Sequence, residues 1–297
     1  MSRQRPFKQV DVFSQVPFKG NPLAVILDAD GLDDAQMQAI ARWTNLSETT
    51  FVLPARDPGA DYRVRIFSPQ TEFPFAGHPT LGTAHALLEA GRIAPERAHQ
   101  GARRIVQECG VGLVQIDVAP DGALAFEAPP AELRALEPAQ HAQLLAALAG
   151  AVPASAPPLV ANMGIRWLVA RMATAQACLA VRPDAAALAE LMRLCQIDGL
   201  ALYGAHPAGA HADYEVRALL TEQGMLVEDP GTGSANACIA RVLQAQGFPD
   251  GAASSLAYRV GQGAQLQRDG RVAVTYRAGQ PWIGGHSVTV IDGTLRA

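Results

Sequence analysis

Polar and apolar positions alternate from the start of the chain. Gln9-Val10-Asp11-Val12-Phe13 has the period of two that a half-buried strand requires, and Leu23-Ala24-Val25-Ile26-Leu27 is a second apolar run. Phe18-Lys19-Gly20-Asn21-Pro22 between them carries turn chemistry, so a hairpin is expected. Asp33 and Asp34 then cap a helix whose apolar positions Met37, Ile40 and Ala41 share one face and which runs out near Asn45. Thr49 to Leu53 is rich in β-branched residues and predicts a strand ended by Pro54, with Glu48 at the helix-to-strand junction. A strand from Arg63 to Phe67 follows, then an alanine-rich helix from Thr80 to Ala90 stopped by Gly91. Ile105-Val106 and Leu113 to Val118 read as a second hairpin around Gly110.

Residues 129–158 are rich in Ala and Pro, with one helix expected from Pro138 to Ala149, and form the natural crossover into a second lobe. Beyond it the same grammar returns. Strands are expected over Trp167–Ala170, Leu200–Tyr203 and Tyr214–Leu220, and helices over Ala185–Cys195 and Ala235–Gln246. Strands Ser255–Val260, Val272–Tyr276 and Ser287–Ile291 close the chain. The return extends to the letters. Ala60-Asp61-Tyr62-Arg63-Val64-Arg65 recurs as Ala212-Asp213-Tyr214-Glu215-Val216-Arg217, five identities in six at an offset of 152. Each copy precedes an acidic turn with proline that opens a helix, at Glu72-Phe73-Pro74-Phe75-Ala76-Gly77-His78 and at Glu228-Asp229-Pro230-Gly231-Thr232-Gly233-Ser234. Strands clustered in hairpins around few helices predict an α+β protein of two pseudo-symmetric lobes, each a mixed or antiparallel sheet curled around a central helix. The expected lobes are residues 1–125, completed by about 283–297, and residues 126–282, with the active-site cleft between them.

At 297 residues the chain is long enough for two such cores. A net charge of -4 with 18% charged residues gives no electrostatic case for nucleic acid or for an anionic membrane surface. No apolar run reaches the roughly 18 to 20 residues of a membrane span. Cys109, Cys178, Cys195 and Cys238 have neither a close pair nor zinc-ligand spacing, so buried thiols in a reduced, cytoplasmic setting are expected and no metal. Lys8 and Lys19 are the only lysines, and no Gly-Lys-Ser/Thr phosphate loop exists.

Candidate chemistry concentrates at the two duplicated turns. Glycines there let backbone approach a ligand, and the N–H groups that open a helix favour an anion, which points to a small carboxylate as the bound partner. The competing reading is that Gly77-His78-Pro79 and Gly231-Thr232-Gly233-Ser234 are turn and N-cap chemistry alone. His78, at a helix start, is expected to have its pKa lowered by the local positive field. Asp229, just before the second helix, is a candidate to orient His78, to take a proton itself or only to complement the helix dipole. Glu48, beside Leu46 and Phe51, is a candidate acid/base if its apolar neighbours desolvate it, and otherwise an ordinary surface carboxylate.

Gly20-Asn21-Pro22, Asn45-Leu46-Ser47-Glu48-Thr49, Phe75-Ala76-Gly77-His78-Pro79 and Glu228-Asp229-Pro230-Gly231-Thr232-Gly233-Ser234-Ala235 together resemble the phenazine-biosynthesis PhzF-like family. The resemblance implies the diaminopimelate-epimerase-like fold and a cofactor-independent isomerase, similar to trans-2,3-dihydro-3-hydroxyanthranilate isomerase, that shifts a double bond by proton transfer. It implies Glu48 as general acid/base, His78 and Asp229 as groups that hold substrate or help the proton travel, and Ser234 with the Gly77 and Gly233 N–H groups as substrate ligands. A homodimer is implied by analogy. Relatives of this fold that racemise amino acids use one cysteine from each lobe, and neither turn here has one. The competing expectations are an epimerase with a non-thiol pair such as Glu48 and Asp229, and a binding protein of the same fold without catalysis.

Overall fold

The computed structural model describes residues 3–94, 97–99, 102–222 and 224–297. The chain divides into two compact units, the first made of Met1–Glu127 with Gly284–Ala297 and the second of Ala128–Ile283. Both are mixed α+β, each with a buried helix against its own strands.

Unit 1 runs β1 (Gln4–Val12), β2 (Asn21–Ile26), α1 (Asp34–Thr44), β3 (Glu48–Leu53), β4 (Tyr62–Phe67), β5 (Glu72–Phe73) and α2 (Gly77–Glu89). It continues through β6 (Arg97–His99), β7 (Ala102–Cys109), β8 (Gly112–Val118) and β9 (Leu124–Glu127). Unit 2 contains β10 (Glu132–Ala135), α3 (Pro138–Ala147), β11 (Leu159–Asn162), β12 (Arg166–Arg171), α4 (Ala175–Ala180), α5 (Ala185–Cys195) and β13 (Gly199–Ala205). After these come β14 (Tyr214–Glu222), β15 (Met225–Asp229), α6 (Gly233–Ala245), β16 (Ala257–Gln262) and β17 (Gly270–Arg277). The chain leaves unit 2 along β18 (Gln280–Gly285) and ends in β19 (Ser287–Arg296), which pairs antiparallel with β1.

The opening hairpin forms with Val12 opposite Asn21. Asp33 caps α1 through the N–H of Gln36, and Asn45 ends it in the left-handed conformation at φ 53° that its short polar side chain tolerates. β2 then pairs parallel with β3, Leu23 beside Glu48. α2 is apolar nearly all round and buried accordingly, lying against β1, β2, β3, β9 and β19. It packs so close that a Cβ at Gly82 would stand 2.6 Å from Leu23 Cδ2 and 2.7 Å from Val12 Cγ2. α6 is its counterpart in unit 2, against β11, β12, β13 and β17.

The duplicated hexapeptide becomes β4 and the start of β14, and in both units its last arginine holds the glutamate that follows. Arg65 donates to Glu72 from Nε and Nη2 at 2.7 Å each, and Arg217 donates to Glu228 at 3.1 and 2.8 Å. These pairs explain why residues expected as turn are strand. Glu228 and Asp229 belong to β15, paired antiparallel with β14, and Glu72-Phe73 is β5 against β4. Three further expectations need correction. The Ala- and Pro-rich crossover contains a strand, β10, besides its helix, and β10 pairs with β11 just beyond it. Ala252–Ser255 is a 3-10 turn, so the strand after it begins at Ala257. Cys109 is partly exposed, whereas Cys178, Cys195 and Cys238 are buried.

Candidate active site

In unit 1 the sheet presents one edge of its inner face to the head of α2. Val12 and Leu23 face that helix, as the Gly82 contacts show, and Asn21 shares their side because strand side chains alternate with period two. Thr83 of α2 donates to Thr50 Oγ1 at 2.8 Å, so Thr50 faces the helix, and Glu48 does too by the same alternation. Glu48 therefore opens β3 with its carboxylate turned inward, 16% exposed, and Oε2 lies 3.3 Å from His78 Nε2. His78 is the second residue of α2, buried, with Nδ1 3.5 Å from Asn21 Nδ2. Burial pushes its pKa down to about 3, so the imidazole is neutral at working pH. Loss of hydration is the cause, and the helix field invoked from sequence is not needed. Cost of charging in an apolar setting outweighs the nearby carboxylate.

The N-cap of α2 is Ala76, which has no side-chain oxygen, and the helix begins without a side-chain cap. Its first N–H groups, from Gly77 and His78, are those a helix leaves unbonded within itself. Gln107 steadies the same turn from β7, donating to Thr80 Oγ1 at 2.9 Å while accepting from Tyr62 Oη at 3.0 Å.

Unit 2 repeats the device with different letters. The N-cap of α6 is Thr232, a residue that ordinarily caps through its hydroxyl. Here the hydroxyl donates to Asp229 Oδ2 at 2.5 Å and accepts from Gln262 Nε2 at 2.8 Å, so no side chain caps α6. Gln262 also accepts from Asn236 Nδ2 at 2.9 Å, the same hold on the fourth helical residue that Gln107 has on Thr80. By contrast α1, α4 and α5 are capped by Asp33, Thr174 and Asp184. The two helices related by the sequence repeat are thus both open-ended. Ser234 accepts a 3.1 Å hydrogen bond from Trp167 Nε1, and the indole stacks where Gly199 leaves room, since a Cβ there would lie 2.3 Å from Cζ3. The thiol of Cys238 donates to Ala161 O at 3.7 Å and burial pushes its pKa up to about 12, which removes it as a base.

The structure thus brings Glu48, His78 and Gly77 together in unit 1, and Asp229, Gly233 and Ser234 together in unit 2. Sequence reading missed Asn21, Gln107, Trp167 and Gln262 as supports. Each acts at a separation of 26 to 67 residues, and only Asn21, within Gly20-Asn21-Pro22, carried a local signal. Among the described residues no group of three or more His, Cys, Asp or Glu is arranged to hold a metal ion.

A solved structure of a PhzF-family phenazine biosynthesis protein from Bacillus anthracis superposes with a TM-score of 0.84, at 23% identity and over 99% of both chains. The architecture is that of the epimerase-like enzymes. Residues 10–293 match the family described as phenazine biosynthesis-like protein, and the chain belongs to that family. The trans-2,3-dihydro-3-hydroxyanthranilate isomerase of Pseudomonas fluorescens is 37% identical over 76% of this chain and 75% of its own. Antisense-enhancing sequence 1 of Schizosaccharomyces pombe is 32% identical over 98% of both chains. This protein is accordingly an enzyme of the isomerase type.

Proposed function

We propose that the protein moves a proton, and with it a double bond, on a small carboxylated cyclic metabolite similar to trans-2,3-dihydro-3-hydroxyanthranilate, without a cofactor. The observation that carries this reading is the inward-facing Glu48 carboxylate 3.3 Å from the buried, neutral His78 imidazole at the open head of α2. Glu48 takes a proton from the ring carbon beside the hydroxyl. The C–H electron pair becomes the new double bond, and the pair of the old double bond captures the proton that Glu48 returns further along the ring. Nothing is oxidised or reduced and no atom is lost.

A base that must also act as an acid needs its proton kept from bulk water, and partial burial beside a non-titrating imidazole serves that need. In this reading His78 and Asp229 assist proton handling. Gly77, Gly233 and Ser234 bind the carboxylate and polar substituents, using helix-head N–H groups that no side chain occupies.

The test is Glu48→Gln, which keeps size and hydrogen bonding but removes the base. Turnover of trans-2,3-dihydro-3-hydroxyanthranilate should fall by about 10² to 10⁴ while affinity for the substrate stays within about threefold. Equal loss of both would make Glu48 a structural residue. Solvent deuterium separates this chemistry from epimerisation by Glu48 and Asp229. A one-base shift retains part of the substrate-derived label, whereas a two-base inversion fills the new position from solvent.

A further inference from the structure

Asn21 lies at the start of β2, fully buried, with its amide nitrogen 3.5 Å from Nδ1 of His78. An amide nitrogen carries only hydrogens to donate, so Nδ1 must offer its lone pair. A neutral imidazole has one donor and one acceptor nitrogen, and burial keeps this ring neutral. Its hydrogen then resides on Nε2, which lies 3.3 Å from Glu48 Oε2 without the alignment of a completed hydrogen bond. The opposite tautomer would set the Nε2 lone pair against a carboxylate oxygen at that distance, two acceptors in contact. Asn21 is held by the sheet beside Val12, opposite it in register, so the amide cannot simply follow the ring.

We propose that Asn21 is a positioning residue that fixes the tautomer of His78 and so sets an N–H, and not a lone pair, beside the Glu48 carboxylate. This rests on the reading of Glu48 as the acid/base. With the hydrogen on Nε2, a small reorientation of either side chain closes a hydrogen bond to the ionised carboxylate, and protonation of Glu48 removes that acceptor. A buried amide does this without a charge of its own, which a carboxylate at position 21 would bring.

The experiment compares wild type, Asn21→Asp and Asn21→Leu, each uniformly labelled with ¹⁵N-histidine, with the His78 signals assigned by their loss in His78→Gln. Wild type should show hydrogen on Nε2, Asn21→Asp on Nδ1, and Asn21→Leu a mixture. With trans-2,3-dihydro-3-hydroxyanthranilate as substrate, Asn21→Asp should lower kcat by about 10²-fold, leave KM within about threefold, and shift the acidic limb of the kcat profile upward. Hydrogen on Nδ1 in wild type, or an unchanged tautomer in both variants, overturns the proposal. A changed tautomer with unchanged kcat overturns it as well. If wild type does not turn this substrate over, the functional reading fails while the nitrogen spectra still decide the role of Asn21. Asn21→Leu keeps the test open should Asn21→Asp not fold.

Discussion

The duplicated arginine–glutamate pair offers a controlled comparison, because one chemistry sits in two settings. Arg65 and Glu72 are 23% and 40% exposed, and Arg217 and Glu228 are 5% and 8% exposed. Replacing Arg217 by Met strands the Glu228 carboxylate in the interior. It also frees the carbonyls of Cys178 and Val181, which Arg217 Nη1 now serves at 3.3 and 2.7 Å. Removing one partner of a buried pair costs about 3–5 kcal/mol, mostly from the uncompensated charge left behind. Arg65→Met exposes its partner to water, and although Arg65 also bonds Asp34, the loss should stay near about 1 kcal/mol. Urea unfolding followed by circular dichroism should therefore separate the two variants by about 2–4 kcal/mol. The double variant Arg217→Met with Glu228→Leu removes the stranded charge and should recover more than half of the single loss. Equal losses at Arg65 and Arg217, or a double variant no better than Arg217→Met alone, would refute the reasoning from burial.

Two other perturbations test the same physics elsewhere. Glu215, the one position at which the repeated hexapeptide differs, is buried 3.1 Å from His206 Nε2, and burial raises its pKa to about 7. The folded chain then holds a proton that the unfolded chain releases near 4.5, so stability falls as pH rises from about 4.5 to 7 and stays lower above that window. Glu215→Gln should be more stable than wild type by about 1–3 kcal/mol at pH 8 and equal to it near pH 4.5, with their difference isolating Glu215 from His206, whose pKa burial lowers. A pH-independent difference in denaturant midpoint would sink this account. Gly82→Ala forces a methyl group into Leu23 and Val12 and should cost about 1–3 kcal/mol, read by thermal unfolding, in spite of alanine's higher helix propensity. Stabilisation instead would mean that α2 has slack against the sheet.

Much of the α+β architecture was legible because strand and helix periods were clear. Asp33, Asn45 and Gly91 punctuate helices as their chemistry predicts, and α5 runs from Ala185 to Cys195 as expected. What failed was local reading where a distant partner decides. Glu228 and Asp229 have turn composition, yet Arg217 and the β14 ladder draw them into a strand. The four-residue strands β10 and β11 are too short to show a period and exist through pairing, β10 with β11 and β11 with β12. Within the candidate site, the residue types at Glu48 and His78 suggested chemistry, but no local pattern shows that residues 30 apart touch. The neutral state of His78 was expected from a helix field, and its physical origin, burial of the whole ring, is visible only in three dimensions. Thr232 shows the limit most clearly. Its letter announces a helix cap, and only the positions of Asp229 and Gln262 reveal that the hydroxyl is engaged elsewhere.

The pairing of β1 with β19 has a consequence for biosynthesis. On the ribosome, the strand that opens the protein waits for residues 287–296 before its second edge is covered, whereas every residue of unit 2 has already been translated by then. Nascent folding should therefore finish in the reverse of the usual amino-to-carboxyl order, with the amino-terminal half completed last. Chaperones that shield unpaired strand edges would be expected to dwell on β1 until β19 emerges.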